Sequence, residues 1–423
     1  MVAARLDRKS VSGLRALLAT MNVAPGRVDA ANPLVPFGKL ENLHFARFVI
    51  LDDPTLDAIR LYGLPRQEYP LYLAFTCDFD GAKPAFLADL AHCAGPGLRR
   101  VFSFCEDFPD GADLLQWMRD HDLPVAANYV NWRGRTMKQV REEARLRQAI
   151  DSYLDLNASA LEGRTAEQVR AQVRAFVDAE IAAGRLTLTP PVPAPLGERI
   201  GNAFHLIGGA LLIGVLIWGA LPLLLIIRLR ENTEPVYAPR PDPAQARALA
   251  EIEDYEFTNQ FSAVGSWKPG LVRRWMVRFI LLVIDWTVRH WPFTKGLLAR
   301  VLTIQCARWV YLDNSKRVFF ATSYDGSLDS YNDDFINKVA FGLNVVFANG
   351  IGYPATRWLL QGGAKDEQKF KYFLRRHQLP TEVWYNAHPS MAAVELERNS
   401  RIRQGLEAAA LSDEAAREWV QLL

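Results

Sequence analysis

The sequence predicts an α+β fold: two tandem ferredoxin-like units packed as a pseudo-dimer, with a membrane-embedded helix in the segment that joins them. Three observations predict it. Residues 43–150 and 304–406 are two copies of one sequence. Each copy alternates strand and helix signals. Between the copies lies a charge-free run long enough to cross a bilayer.

The copies match along most of their length. LHFARFVILDD is matched by IQCARWVYLDN, and FDGAKPAFLADL by YDGSLDSYNDDF, each on one Asp-Gly hinge (Asp80-Gly81, Asp325-Gly326). GLRRVFSFCEDFP aligns with GLNVVFANGIGYP, MRDHDLP with LRRHQLP and EEARLRQAI with RNSRIRQGL. A duplication this long exceeds a solenoid repeat and means two related domains, packed as an internal pseudo-dimer. The division it suggests is 1–150 for the first unit, 151–250 for a helical connector and 251–423 for the second unit.

Aromatic and β-branched residues make strands of His44–Leu51 and Cys306–Leu312, and then of Leu71–Thr76 and Val318–Ser323. Each Asp-Gly turn opens a helix with Phe86 and Leu90, or Tyr331 and Phe335, at i, i+4 spacing. The second copy has a lead-in strand, Phe257–Val264, and a helix, Leu271–His290, which gives the order β-α-β-β-α-β. In the first copy the lead-in helix is Ser12–Met21, and no convincing strand precedes it. Thr165 opens a connector helix with Gln168 at the capping-box position, and Gly184 ends it. Two Pro-rich spacers, TLTPPVPAPLGE and EPVYAPRPDP, flank the apolar run.

That run, Leu206–Ile227, spans about 33 Å as a helix. Arg228 and Arg230 follow at once, which places the C-terminal side in the cytoplasm by the positive-inside rule. Leu271–Trp291 carries arginines and three tryptophans around a short apolar centre and suits an interfacial helix. A single span would put the copies on opposite sides of the membrane. Packing of the copies instead requires Leu206–Ile227 to enter and leave one face. The net charge of +2 argues against a nucleic-acid partner. Four cysteines without metal spacing read as reduced core thiols, and the polar N-terminus reads as lacking a signal peptide.

HFARF/CARW, FDG/YDG and RLRQ/RIRQ resemble the dimeric α+β barrel superfamily, which includes dye-decolourising peroxidases, chlorite dismutases and cofactor-free monooxygenases. They resemble more closely bacterial proteins labelled peroxidase-like. The resemblance implies a bacterial protein and makes haem a candidate cofactor; with the apolar run, the basic flank and the reduced cysteines, the expected setting is the inner membrane with cytoplasmic domains. The peroxidases' G-x-x-D-G motif is absent: Cys77-Asp78-Phe79-Asp80-Gly81 and Thr322-Ser323-Tyr324-Asp325-Gly326 stand there.

Arg47 and Arg308 sit at matched positions in apolar strands, either aimed at an anionic or peroxidic ligand or held in ion pairs with Asp52/Asp313 or Asp80/Asp325. His121 and His377 are matched before Leu-Pro, as acid/base or ligand groups or as helix-terminal histidines. His44 and His388 occur in one copy each, opposite Gln305 and Trp132, and are the candidate cofactor ligands. No metal-binding spacing, P-loop, dinucleotide fingerprint or nucleophile elbow is present. The expected function is an oxidoreductase-like barrel acting on a lipophilic small molecule from the membrane. The alternative is a membrane scaffold or lipid-binding module.

Overall fold

The computed structural model describes residues 1–191, 196–290 and 301–423. It is a mixed α+β structure. Its principal strands are β1 (Val2–Leu6), β2 (Leu43–Leu51), β3 (Leu71–Phe79), β4 (Val125–Val130), β5 (Thr258–Ser266), β6 (Ile304–Leu312), β7 (Arg317–Asp325) and β8 (Thr381–Asn386). Its principal helices are α1 (Val11–Ala19), α2 (Lys83–Phe102), α3 (Leu114–Asp120), α4 (Met137–Leu161), α5 (Ala166–Ala182), α6 (Leu196–Glu231), α7 (Pro243–Ala250), α8 (Leu271–His290), α9 (Leu328–Phe347), α10 (Glu367–His377), α11 (Ala393–Glu407) and α12 (Asp413–Val420).

The strands form two four-stranded antiparallel sheets, β1-β3-β2-β8 and β4-β6-β7-β5. Each sheet therefore takes three strands from one half of the chain and its fourth from the other. The exchanged strands start beside their own halves. Leu123 N–H donates to Met1 O and Leu379 N–H to Ser262 O, both at 2.8 Å, before β4 and β8 cross over. All nine residues of β2 are buried, because the strand has a core on both faces.

On the outer face of the first sheet, Phe48 and Phe75 meet Phe86, Leu90 and Leu98 of α2. On the outer face of the second, Ala307 and Trp309 meet α8, α9 and α10. Between the sheets lie Val49, Leu51, Ala74, Val310, Leu312 and Phe319 at one end, and Phe45, Trp132, Cys306 and Trp384 at the other. Gly97 of α2 lets the chain at Leu34 approach so closely that an added Cβ would sit 1.9 Å from the Leu34 carbonyl oxygen. Thr136 and Thr165 form capping boxes with Gln139 and Gln168. Gly81 and Gly326 hold φ of +89° and +79°, the backbone that each Asp-Gly hinge needs.

The expectation of no strand before the first helix is corrected. Val2–Leu6 is an edge strand paired with β3 from Val2–Phe75 to Leu6–Leu71. Its five residues are too few to show a period, and its burial comes from a partner about 70 residues away. Trp291 and residues 192–195 of the first spacer lie outside the described residues.

Candidate functional site

The space between the sheets holds the two matched arginines, and each reaches across to the opposite sheet. Arg308 on β6 bonds Asp78 and the Cys77 carbonyl on β3, with side chains 7% exposed on both partners of the ion pair. Arg47 on β2 donates to Phe261 O (3.0 Å), Ser262 Oγ (3.2 Å), Thr322 O (3.3 Å) and Ser323 Oγ (2.7 Å), and lies 4.8 Å from the centre of the Trp384 ring. Asp78 and Ser323 occupy matched positions, so one arginine has a carboxylate and its counterpart only neutral oxygens. Burial, first, and the nearby Arg308 pull the Arg47 guanidinium down to about 10, and it remains a cation at neutral pH.

The ion-pair partners expected from the sequence are corrected. Asp52 binds Arg8 and Asp313 binds Arg317. Asp80 and Asp325 cap helices: Asp80 accepts from Met137 N and Asp325 from Ala393 N, each at 2.6 Å. Cys306 lies 3.4 Å from Ser323 Oγ, and burial pushes its thiol up to about 12, so it is unreactive. Asp78, Ser323 and Cys306 went unflagged. The one available signal was the Asp/Ser mismatch inside an otherwise matched strand.

The histidines do not converge with the arginines. His44 Nε2 meets Asp80 Oδ1 at 2.9 Å, and Gln305 Nε2 meets Asp325 Oδ1 at 3.0 Å. The duplication thus serves as an internal control. His44 supplies the N–H that a glutamine supplies in the other copy, while its ring stacks on Trp132 at 4.5 Å. His121 stacks on Trp117 and bonds Asp107 at the surface. His377 is buried, with Nδ1 bonded to Phe373 O at 2.8 Å. His388 lies edge-on to Phe45 (5.0 Å) and His44 (6.3 Å), and neither of its ring nitrogens has a hydrogen-bond partner. Of the sequence-predicted ligands, only His44 and His388 come together.

These residues do not fit haem. His44 is stacked on Trp132, and the cavity that His377 lines measures about 40 Å³, room for a few waters at most and far too small for a haem. His388 is enclosed by aromatic rings. No group of three or more metal-binding side chains occurs among the described residues.

Burial holds His377 down to about 4, against weaker opposition from its Phe373 bond and with Arg376 adding to the effect. Burial, with His44, Arg141 and Arg135 nearby, holds His388 down to about 3. Both folded values lie below the ordinary 6.5, so the unfolded chain binds these protons first. The stability from keeping them neutral is complete above pH 6.5 and is lost as pH falls toward 4 and 3. Between pH 7 and pH 5 each should cost roughly 2 kcal/mol. Urea denaturation at the two pH values should show that loss, and His377→Gln should shrink it. An unchanged slope in the variant would remove His377 from the account.

The long apolar helix α6 is tied to this body at both ends. α6 runs antiparallel along α8. Arg289 bonds Asn202 (3.0 Å), His205 meets His290 (2.7 Å) and the Trp286 indole donates to Leu206 O (3.0 Å). Gly209 lies under Trp286, where a Cβ would come within 2.4 Å of the indole. Toward the other end, Ala220 and Ile227 enter the core of the second sheet. Glu231 accepts from Thr356, Trp358 and Leu359, and Glu234 joins Lys268 and Arg273. α6 is exposed nearly all round: besides a stripe of Ile207, Leu211, Val215, Trp218, Leu225 and Leu229, the side chains of Leu212, Leu216, Ile217 and Leu221 are also uncovered. α6 is the one helix among the described residues that is long and apolar enough to cross a membrane.

On α8, the buried face (Met276, Val277, Ile280, Leu281) packs on the second sheet, while Trp275 and Arg278 are exposed. Of the closing arginine pairs, Arg145 and Arg401 are exposed, whereas Arg147 and Arg403 turn inward and donate to protein carbonyls and to Asp151 and Glu407. Comparison of the chain with protein-family models, with curated proteins and with solved structures finds no match.

Proposed function

We propose that the chain is a monotopic membrane protein, a lipid-binding module whose α+β body is held on one leaflet by α6 lying in the membrane plane. The observation that carries this is the attachment of both ends of α6 to one folded body. Asn202 and Glu231 are about 44 Å apart along the helix, more than the hydrocarbon thickness. If α6 crossed the bilayer, α8 and the sheet beneath it would have to enter with it, and open sheet edges are not tolerated in hydrocarbon. Lying flat, α6 buries its apolar stripe, and Arg289 of α8, bonded to Asn202, lies beside it for anionic headgroups.

The body is read as two ferredoxin-like repeats closing one barrel by exchange of β4 and β8. This pairing requires both copies on the same side of the membrane, the cytoplasmic side by the basic flank of α6. The lipid-binding reading is favoured over a haem oxidoreductase because both arginines are engaged by protein groups and His44 and His388 are packed against aromatic rings. Same-side labelling tests the topology. In a Cys93→Ser background, Gly201→Cys and Asn232→Cys should react with an impermeant maleimide from the same face of membrane vesicles. Labelling from opposite faces would establish an ordinary span and defeat the proposal.

A further inference from the structure

The outer face of the second sheet contains a cavity of about 290 Å³. β6 and β7 form its floor with Ala307, Trp309 and Phe320, α8 one wall with Ile284 and Val288, and α9 another with Val339 and Phe347. None of its lining residues is charged. The few polar groups include Thr287, Asn332 and Tyr331, whose hydroxyl is 3.2 Å from Thr322 Oγ1. The indole N–H of Trp309 is buried without a partner.

The duplication again provides the control. Gly97 and Gly342 are matched, and Gly97 is covered by the chain at Leu34. At Gly342 the nearest described atom to an added Cβ is Val339 Cγ1 at 3.5 Å, and Gly342 lines the cavity instead. Beside it α9 is broken: Val339 leaves helical geometry with φ −145° and ψ 29°. The next lining residue, Phe341, is 61% exposed, so the break marks the mouth. The same apolar cluster takes in Ala220 and Ile227 of α6.

We propose that this cavity binds one uncharged, single-chain lipid drawn from the membrane, with its chain between α8, α9 and the sheet. The proposal rests on the membrane reading for the source of the lipid, while the cavity stands on its own geometry. Burying an ionised headgroup among these uncharged, apolar residues would leave it unpaired, so the occupant is uncharged. By proportion to a 150 Å³ apolar cavity that accepts benzene, the volume suits roughly twelve carbons.

The test uses the full chain in lipid vesicles and a photoactivatable diazirine analogue of dodecanol, with labelled peptides mapped by mass spectrometry. Label is expected on β6 and α9, with competition by excess dodecanol and at least tenfold weaker competition by dodecanoate. Ala307→Leu and, independently, Val346→Phe fill the cavity and should cut the β6 and α9 label at least fivefold while leaving label on the outer face of α6. Label confined to α6 and the outer face of α8, or label on β6 and α9 unchanged by both fillings, would overturn the proposal. A variant in which α6 no longer holds the membrane, but which still takes up the probe at β6, would overturn the anchoring and leave the cavity site standing.

Discussion

Asp78→Ala should destabilise the protein by about 3–5 kcal/mol, a large part of the 5–15 kcal/mol typical of a folded domain. Asp78 is the acidic partner of Arg308 between the sheets, where Arg47 already lies buried against neutral oxygens alone. Removing its charge leaves two guanidinium cations in one enclosed space. The cost comes from stranding Arg308, because a buried pair itself contributes little over an apolar replacement. Asp78→Leu combined with Arg308→Met should therefore recover most of the loss. The duplication offers a sharper control. Ser323 is the matched residue facing Arg47, so Asp78→Ser with Ser323→Asp moves the carboxylate from one arginine to the other and should also recover part of it. Chemical denaturation of the four proteins decides the matter. A loss for Asp78→Ala below about 1 kcal/mol would mean that the arginines reach water or an anion, and the dry, self-satisfied interior would be wrong.

Replacing Leu211, Val215 and Trp218 together by glutamate should release the protein from membranes. These residues lie on the uncovered stripe of α6, 68%, 71% and 75% exposed, and touch nothing that holds the fold together. Each contributes roughly 1.5–3 kcal/mol when buried in an apolar phase. Losing three amounts to roughly 5 kcal/mol or more, which is at least a thousandfold in partition. The parent protein should stay with the pellet after alkaline carbonate washing, and the variant should appear mostly in the supernatant, folded as judged by circular dichroism. Retention of a folded variant in the pellet would show that something other than this stripe anchors the chain.

The duplication, the α+β class and the long apolar helix were legible in the residues alone. These are local or self-referential signals: a matched text, a run of side chains, a period. Strands β2, β5, β6 and β7 and the capping box at Thr165 follow from composition and spacing that need no partner. The matched positions of Arg47 and Arg308 in apolar strands singled out two arginines that the fold buries, without showing what they would meet.

Four things waited for the tertiary structure. Val2–Leu6 becomes a strand only because β3 offers it an edge. The exchange of β4 and β8 is a choice between two equivalent sheets, and nothing local to either strand distinguishes its own half from the other. The partner of Arg308 is Asp78, not a residue of the conspicuous Asp-Gly hinges, because those aspartates are drawn off by the N-termini of α4 and α11. The attachment of α6 to the folded body at Asn202 and Glu231 is made by distant partners, which a hydropathy run does not carry. A sequence determines which groups must be buried or paired. Which partner each one finds depends on distances that exist only once the chain has folded.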